Sequence, residues 1–242
     1  FKSIGLDGVQ FFLTQYLNET QSSLQYFIEK LKDTTGVKPE AFSFKSKILD
    51  LNNALVVIED INVLNSRNTF WDIDLALKTF NFENDILSVD IQSLNGTSDL
   101  YGSINSFQAD IRYSSESLMS ESFALKLNKN EINGSGLVTF LGGNLANLNP
   151  AEFFIQLDKN TIQLNDFPSL NPYLKAQSML KADVVVKGSL QDFEVNFKLK
   201  GPYRSLIEGT IQVVDGQQKD KIRINSDAFS IKTSDKALDA IF

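Results

Sequence analysis

The chain reads as a mainly β protein, a long, curved antiparallel sheet folded into a taco-like hydrophobic groove, with one amphipathic helix and one short helical turn. Three observations predict this. Apolar and polar residues alternate along most of the 242 residues, glycine and asparagine punctuate the alternating runs, and one stretch alone has a full helical period. The clearest run is Asp192 to Lys200, where Phe193, Val195, Phe197 and Leu199 fall on one face of a strand and Glu194, Asn196, Lys198 and Lys200 on the other.

Taken in order, Ile4 to Leu17 is extended and aromatic and ends in the turn-prone Asn18-Glu19-Thr20. Leu24, Phe27, Ile28 and Leu31 then recur at i, i+3, i+4 and i+7, with Ser22 or Ser23 as cap and Gly36 and Pro39 as stop signals, which predicts a helix over about 22–35. Strands follow at Phe42 to Ile48, Leu55 to Ile61, Phe70 to Leu77, Leu87 to Ile91, Ile104 to Tyr113 and Phe123 to Leu127. Asn95-Gly96-Thr97, Asn133-Gly134 and Leu141-Gly142-Gly143-Asn144 read as the turns between such strands. Two prolines in Asp166 to Leu174 predict a short helical element across a sheet end, before four strands centred near Val184, Val195, Ile211 and Ile224. Glycine returns at comparable places, Gly96, Gly134, Gly188 and Gly209, each followed by serine or threonine; this is either a loose repeat or the ordinary marking of bulges and turns.

Composition excludes several functional classes. The chain has no cysteine and no histidine, which removes disulfides, thiolate or imidazole metal sites, cysteine nucleophiles and histidine bases. Its formal charge is −7 and its basic residues are scattered, so no surface for tracking phosphates is visible and nucleic acid is not an expected partner. No run reaches the roughly 18 apolar residues that span a bilayer as a helix. The chain opens at Phe1 without methionine or a signal core and stops within Ala237 to Phe242, so it reads as a single continuous segment, 1–242, of a longer protein.

Bond chemistry finds no candidate. Asp72 and Asp74 read as the wet face of a strand opposite Trp71, Ile73 and Leu75, and Asp227, Asp235 and Asp239 lack the spacing of a calcium loop. Leu141-Gly142-Gly143-Asn144 does not open a helix with a basic residue, as a phosphate loop would. Trp71, Tyr101, Tyr113 and Tyr173 are scattered among strands and read as core or rim, not as a sugar-stacking platform. The expectation is therefore no enzyme, no catalytic residue, no metal and no cofactor.

What remains is the apolar face itself. One helix and one helical turn cannot roof a sheet of about ten strands, and soluble proteins rarely leave more than a few hundred Å² of apolar surface open. The sheet closes as a barrel, folds over as a sandwich, or lines a groove for an apolar ligand. A groove is lined here by Ile73, Leu75, Leu77, Leu87, Val89, Ile91, Phe123, Leu125, Leu127, Phe153, Ile155, Leu157, Val184, Val186, Phe193, Val195, Phe197, Leu199, Ile207, Ile211 and Val213. Exposing two acyl tails of about 16 carbons costs on the order of 25 kcal/mol at about 0.8 kcal/mol per methylene, a strong motive for a sheath.

Val186 to Phe193 (Val-Lys-Gly-Ser-Leu-Gln-Asp-Phe), followed by Gly201 to Ile211, resembles the AsmA/TamB family, which repeats a turn of the form V-x-G-S/T-L-x-D/N-hydrophobic before a strand. Ile162 to Leu170 is similar to the apolar strand, Asp and proline-bearing short helix that precede this turn in TamB-like proteins, and Gly5 to Phe11 and Ala54 to Asp60 look like the family's early rungs. The resemblance implies an inner-membrane-anchored periplasmic β-bridge, anchored by a segment outside this chain, whose groove carries phospholipid toward the outer membrane. It also implies a barrel partner of the TamA or BamA type, reached through other parts of the protein, and a contribution to outer-membrane biogenesis. The alternative is a structural module with a closed apolar core that assists outer-membrane protein assembly.

Overall fold

Among the described residues, fourteen strands account for most of the backbone: β1 (Ile4–Asp7), β2 (Gln10–Gln15), β3 (Phe44–Ser46), β4 (Leu49–Asp60), β5 (Asn68–Glu83), β6 (Ile86–Ser98), β7 (Gly102–Tyr113), β8 (Ser117–Leu127), β9 (Asn130–Phe140), β10 (Ala151–Gln163), β11 (Met179–Ser189), β12 (Phe193–Lys200), β13 (Leu206–Val214) and β14 (Arg223–Lys232). This computed structural model describes residues 1–19, 23, 26, 43–63, 66–100, 102–142, 151–163, 179–218 and 220–233. Ser23 and Tyr26 are helical; the rest of the helix expected over 22–35, and all of the element expected over 166–174, lie outside the described residues. The Ser23 hydroxyl donates to the Phe12 carbonyl and accepts from the Thr14 amide at 3.1 Å.

The chain forms two compact units, Phe1–Gln108 and Ala109–Phe242, with β7 passing from one to the other. In the first, β4, β5 and β6 are antiparallel neighbours and β3 pairs with β5. The sheet there is mixed, not purely antiparallel as expected, because β1 and β2 both lie parallel to β4, Ile4–Asp7 along Leu49–Asn52 and Gln10–Gln15 along Leu55–Asp60. Gly8, at φ 63°, breaks the expected first strand in two, and the long connection from β2 to β4 permits the crossover that a parallel pair requires. In the second unit β8 to β14 form an uninterrupted antiparallel meander. Among the described residues, β14 pairs with β13 alone, and β1 and β2 with β4 alone, so neither unit closes on itself.

Of the three expected turns, Leu141-Gly142 does follow the end of β9, with Gly143 and Asn144 outside the described residues, and the other two do not separate strands. Asn84 and Asp85 both adopt positive φ, 52° and 59°, as a two-residue primed turn demands, and Asn128 (φ 52°) opens the turn into β9. Asn95-Gly96-Thr97 and Asn133-Gly134 are not turns; they lie inside β6 and β9. The buried hydrophobic residues are few and mostly small: Ala54, Ala109, Ala151 and Ala182, with Val57, Leu77 and Phe140.

The apolar strand face as candidate functional site

Directly paired residues in neighbouring antiparallel strands point to the same side of a sheet, so the register decides which side chains share a face. In the second unit it assembles four rows across the strands. Leu118, Val138, Phe153, Gly188, Phe193, Val213 and Ile224 form the first, and Ser120, Gly136, Ile155, Val186, Val195, Ile211 and Ser226 the second. Phe123, Gly134, Leu157, Val184, Phe197, Gly209 and Phe229 form the third. The fourth contains the pair Leu125 and Ile132, then Asn160, Ala182, Leu199, Ile207 and Ile231. Leu127 follows at the hairpin end opposite Asn130. All fifteen groove residues expected on β8 to β13 therefore lie on one face.

The recurring glycines now have a reason. Gly134, Gly188 and Gly209 sit on this face between bulky neighbours, and the missing side chain lets residues two strands apart meet. Phe153 and Phe193 approach to 6.1 Å between ring centroids across Gly188, and Phe197 and Phe229 to 6.3 Å across Gly209. A Cβ on Gly134 would meet the Gln156 carbonyl and come within 2.9 Å of Leu157 Cδ2.

The first unit repeats the arrangement. Ile73 lies opposite Ala54, Leu75 between Leu51 and Leu94, and Leu77 between Leu49 and Ile91; Val89 faces Phe80 and Leu87 faces Phe82. Phe44 adds its ring at 5.5 Å from Phe80 and Phe1 lies 5.5 Å from Phe44. One expectation is corrected. A bulge between Trp71 and Asp74, with Asp72 at φ 52°, interrupts the alternation, so Trp71 shares a face with Asp74 while Ile73 and Leu75 lie on the other.

Of the twenty-one expected groove residues, Leu77 alone is buried, at 6% exposure; the other twenty are half-buried. Each is covered laterally by its strand neighbours, and among the described residues no second layer lies over it as in a sandwich. On the edge strand β14 the cover falls away further, and Phe229 is 56% exposed. Sequence reasoning missed Leu118, Ile132, Val138, Ile224, Phe229 and Ile231 on this face, and Leu49, Leu51, Phe80, Phe82 and Leu94 in the first unit; the register identifies them.

The opposite face of the second unit is polar and stitched across strands. Lys187 pairs with Glu194 at 2.9 Å, Lys198 with Glu208 at 3.3 Å, and Thr210 donates to Asn196 Oδ1 at 2.6 Å. Hydrogen bonds from Lys187 first, then from Asn196, hold the Glu194 carboxyl below its ordinary value of 4.5. A shallow concavity of about 590 Å³ is lined mostly from this side, by Leu137, Phe154, Lys187, Glu194, Gln212 and Val214, and also by Phe153, Gly188, Phe193 and Val213 of the first apolar row. A twisted sheet is saddle-shaped and gives each face a concave diagonal, so this hollow does not decide the curvature of the apolar side.

Among the described residues, no group of His, Cys, Asp or Glu is placed to hold a metal ion, and no helix is long and apolar enough to cross a membrane. The site that the geometry offers is an extended apolar surface without convergent acid, base or nucleophile. No protein-family model, curated protein or solved structure matches this chain.

Proposed function

We propose that the chain is a segment of a lipid-transfer conduit, in which the apolar strand face shields phospholipid acyl chains and no residue makes or breaks a bond. One observation carries this reading: rows of apolar side chains run in register across β8 to β14 yet stay half-exposed. Six inter-strand spacings of about 4.8 Å make the rows roughly 29 Å long, and four rows two residues apart make the face roughly 20 Å deep. The footprint of the four rows, roughly 600 Å², compares with the largest apolar patches that soluble monomers leave uncovered. Acyl tails, which reach across roughly 15 Å in half a bilayer core, fit along such rows. The track runs across the strands, so adding strands lengthens it without altering its section. On the AsmA/TamB resemblance, its setting is the periplasm and its role outer-membrane biogenesis, with a TamA- or BamA-type barrel as partner through other parts of the protein.

Native mass spectrometry of the purified protein, with lipid extraction, tests the reading. Phospholipid is expected to co-purify with the wild type and to be lost in Ile211→Arg, whose charge would sit in the second row. A lipid-free protein that also takes up no phospholipid from vesicles would overturn it and favour the scaffold alternative.

A further inference from the structure

Side chains alternate with a period of two, so an extra residue in a strand turns everything beyond it to the wrong face. Bulges of this kind interrupt several strands, β5, β6 and β14 among them, and three of them, in β8, β10 and β4, share one feature. In β8 the partners step from Ser120 to Phe123 while β9 steps from Gly136 to Gly134; in β10 they step from Leu157 to Asn160 while β11 steps from Val184 to Ala182. In β4 they step from Leu51 to Ala54 while β5 steps from Leu75 to Ile73. Each time a bulge absorbs the slip. Regular pairing of β8 would instead bring Ser122 and Lys126 onto the apolar face and turn Phe123, Leu125 and Leu127 off it. In β10 it would bring in Lys159 and expel Ile162.

Each of these three bulges is held by an aspartate of an adjacent strand. Asp183, between the paired residues Ala182 and Val184, accepts the Lys159 amide at 2.9 Å, and Asp74, between Ile73 and Leu75, accepts the Asn53 amide at 3.0 Å. Lys159 and Asn53 both stand at positive φ, 58° and 52°, a conformation that asparagine tolerates and lysine disfavours and that turns the amide out of the ladder. Asp110 of β7 accepts the Ser122 amide at 3.1 Å and its hydroxyl at 2.9 Å, and also takes the Glu121 amide. A carboxylate is a strong acceptor for a backbone amide that has lost its partner strand. The same clip thus recurs in both units, on strands that are not neighbours.

We propose that Asp74, Asp110 and Asp183 are positioning residues that hold the three bulges open and so keep the apolar side chains of β4, β8 and β10 on the face that takes the acyl chains. This deepens the conduit reading and rests on it for what the face is for, but the clip itself is tested without lipid. The chain has no cysteine, so engineered pairs report the register cleanly. In lipid-free buffer, Leu125→Cys with Ile132→Cys, a directly paired couple, is expected to form a disulfide, and Ala124→Cys with Ile132→Cys, the couple that regular pairing would bring together, is not. Adding Asp110→Ala is expected to abolish the first disulfide and create the second, whereas Asp110→Asn, which keeps an acceptor oxygen, retains the first. Deleting Ser122 in the Asp110→Ala background removes the extra residue and is expected to restore the first disulfide, which a generally stabilising aspartate would not permit. Unchanged disulfides in Asp110→Ala overturn the proposal. If Asp110→Ala does not fold, the deletion variant decides: recovery supports the clip and continued unfolding overturns it. Loss of the register effect leaves lipid binding unaffected as a question, and absence of lipid leaves the disulfide pattern intact, so the two failures are separable.

Discussion

Phe197→Asp separates an open apolar face from a closed core. Phe197 lies in the third row between Val184 and Gly209, half-buried, with its ring 6.3 Å from that of Phe229. A phenylalanine buries about 150 Å² or more when well covered, so losing on the order of 120 Å² of contact at about 25 cal/mol per Å² costs about 3 kcal/mol. On an uncovered face the new carboxylate reaches water and adds little to that. In a closed core it would be an unpaired buried charge, adding several kcal/mol to a loss of about 3–5 and consuming most of the roughly 5–15 kcal/mol that holds a domain together. Urea unfolding followed by far-ultraviolet circular dichroism, which reads the strands of both units, measures the difference. The expected result is a folded protein destabilised by about 3 kcal/mol that no longer carries phospholipid in native mass spectrometry. A variant unfolded without denaturant would refute the open face, and a folded variant with undiminished lipid would refute its use as the lipid site.

Other perturbations follow from single contacts. Asn160 is 1% exposed, accepts the Asn133 amide at 2.6 Å and donates to the Ala182 carbonyl at 3.0 Å; Asn160→Ala orphans both and is expected to cost about 3 kcal/mol in urea unfolding at about 1–3 kcal/mol per group. Gly188 stands at φ 130°, where a Cβ would collide with the Asp192 carbonyl and lie 2.8 Å from Phe193 Cα, so Gly188→Ala is expected to cost at least about 2 kcal/mol and lower the midpoint in the same assay. The Glu194 carboxyl titrates below its ordinary value in the folded state, so its pairing with Lys187 stabilises the protein at pH above about 4.5 and that contribution fades as pH falls through the lower folded value. Glu194→Gln is therefore expected to shrink the acid-side fall in stability and leave the neutral-to-alkaline side flat, as read from unfolding midpoints across pH.

The faces were legible in the sequence wherever alternation ran unbroken. Phe193 to Leu199 and the strands centred near Val184, Ile211 and Ile224 lie where the period places them, because a half-buried strand writes its two faces directly into the chain. The parallel pairing of β1 and β2 with β4 was not legible, since alternation says nothing of direction and the decisive break is the single residue Gly8. Asn133-Gly134 misleads for a different reason: the pair that favours a tight turn is also the pair that fits where Phe123 and Leu157 crowd a central strand. Bulges hide in the same way. At Asn52-Asn53 and Asp158-Lys159 the chain shows polar pairs between apolar runs, and the carboxylates that hold them lie 21 and 24 residues away from Asn53 and Lys159, on the next strand.

The distribution of burial argues for a single layer within each unit. Ala54, Ala151, Ala182 and Asn160 reach nearly complete burial because small or hydrogen-bonded side chains are covered by their strand neighbours alone. Larger groups on the same face, such as Phe153, Phe193 and Phe197, rise above that lateral cover and stay half-exposed, whereas Phe140, with its ring 6.2 Å from that of Tyr113, is buried. A second layer would reverse the order, burying the large rings first, since they project farthest toward it. What would complete the burial must therefore be apolar, fill the space between ring tops and follow rows that cross many strands. At about 25 cal/mol per Å², covering roughly 600 Å² would release on the order of 15 kcal/mol before the losses of association, which offsets part of the roughly 25 kcal/mol cost of exposing two acyl tails. Flexible methylene chains meet this demand better than a rigid protein surface, because they adapt to the shallow steps that Gly134, Gly188 and Gly209 leave between the rings.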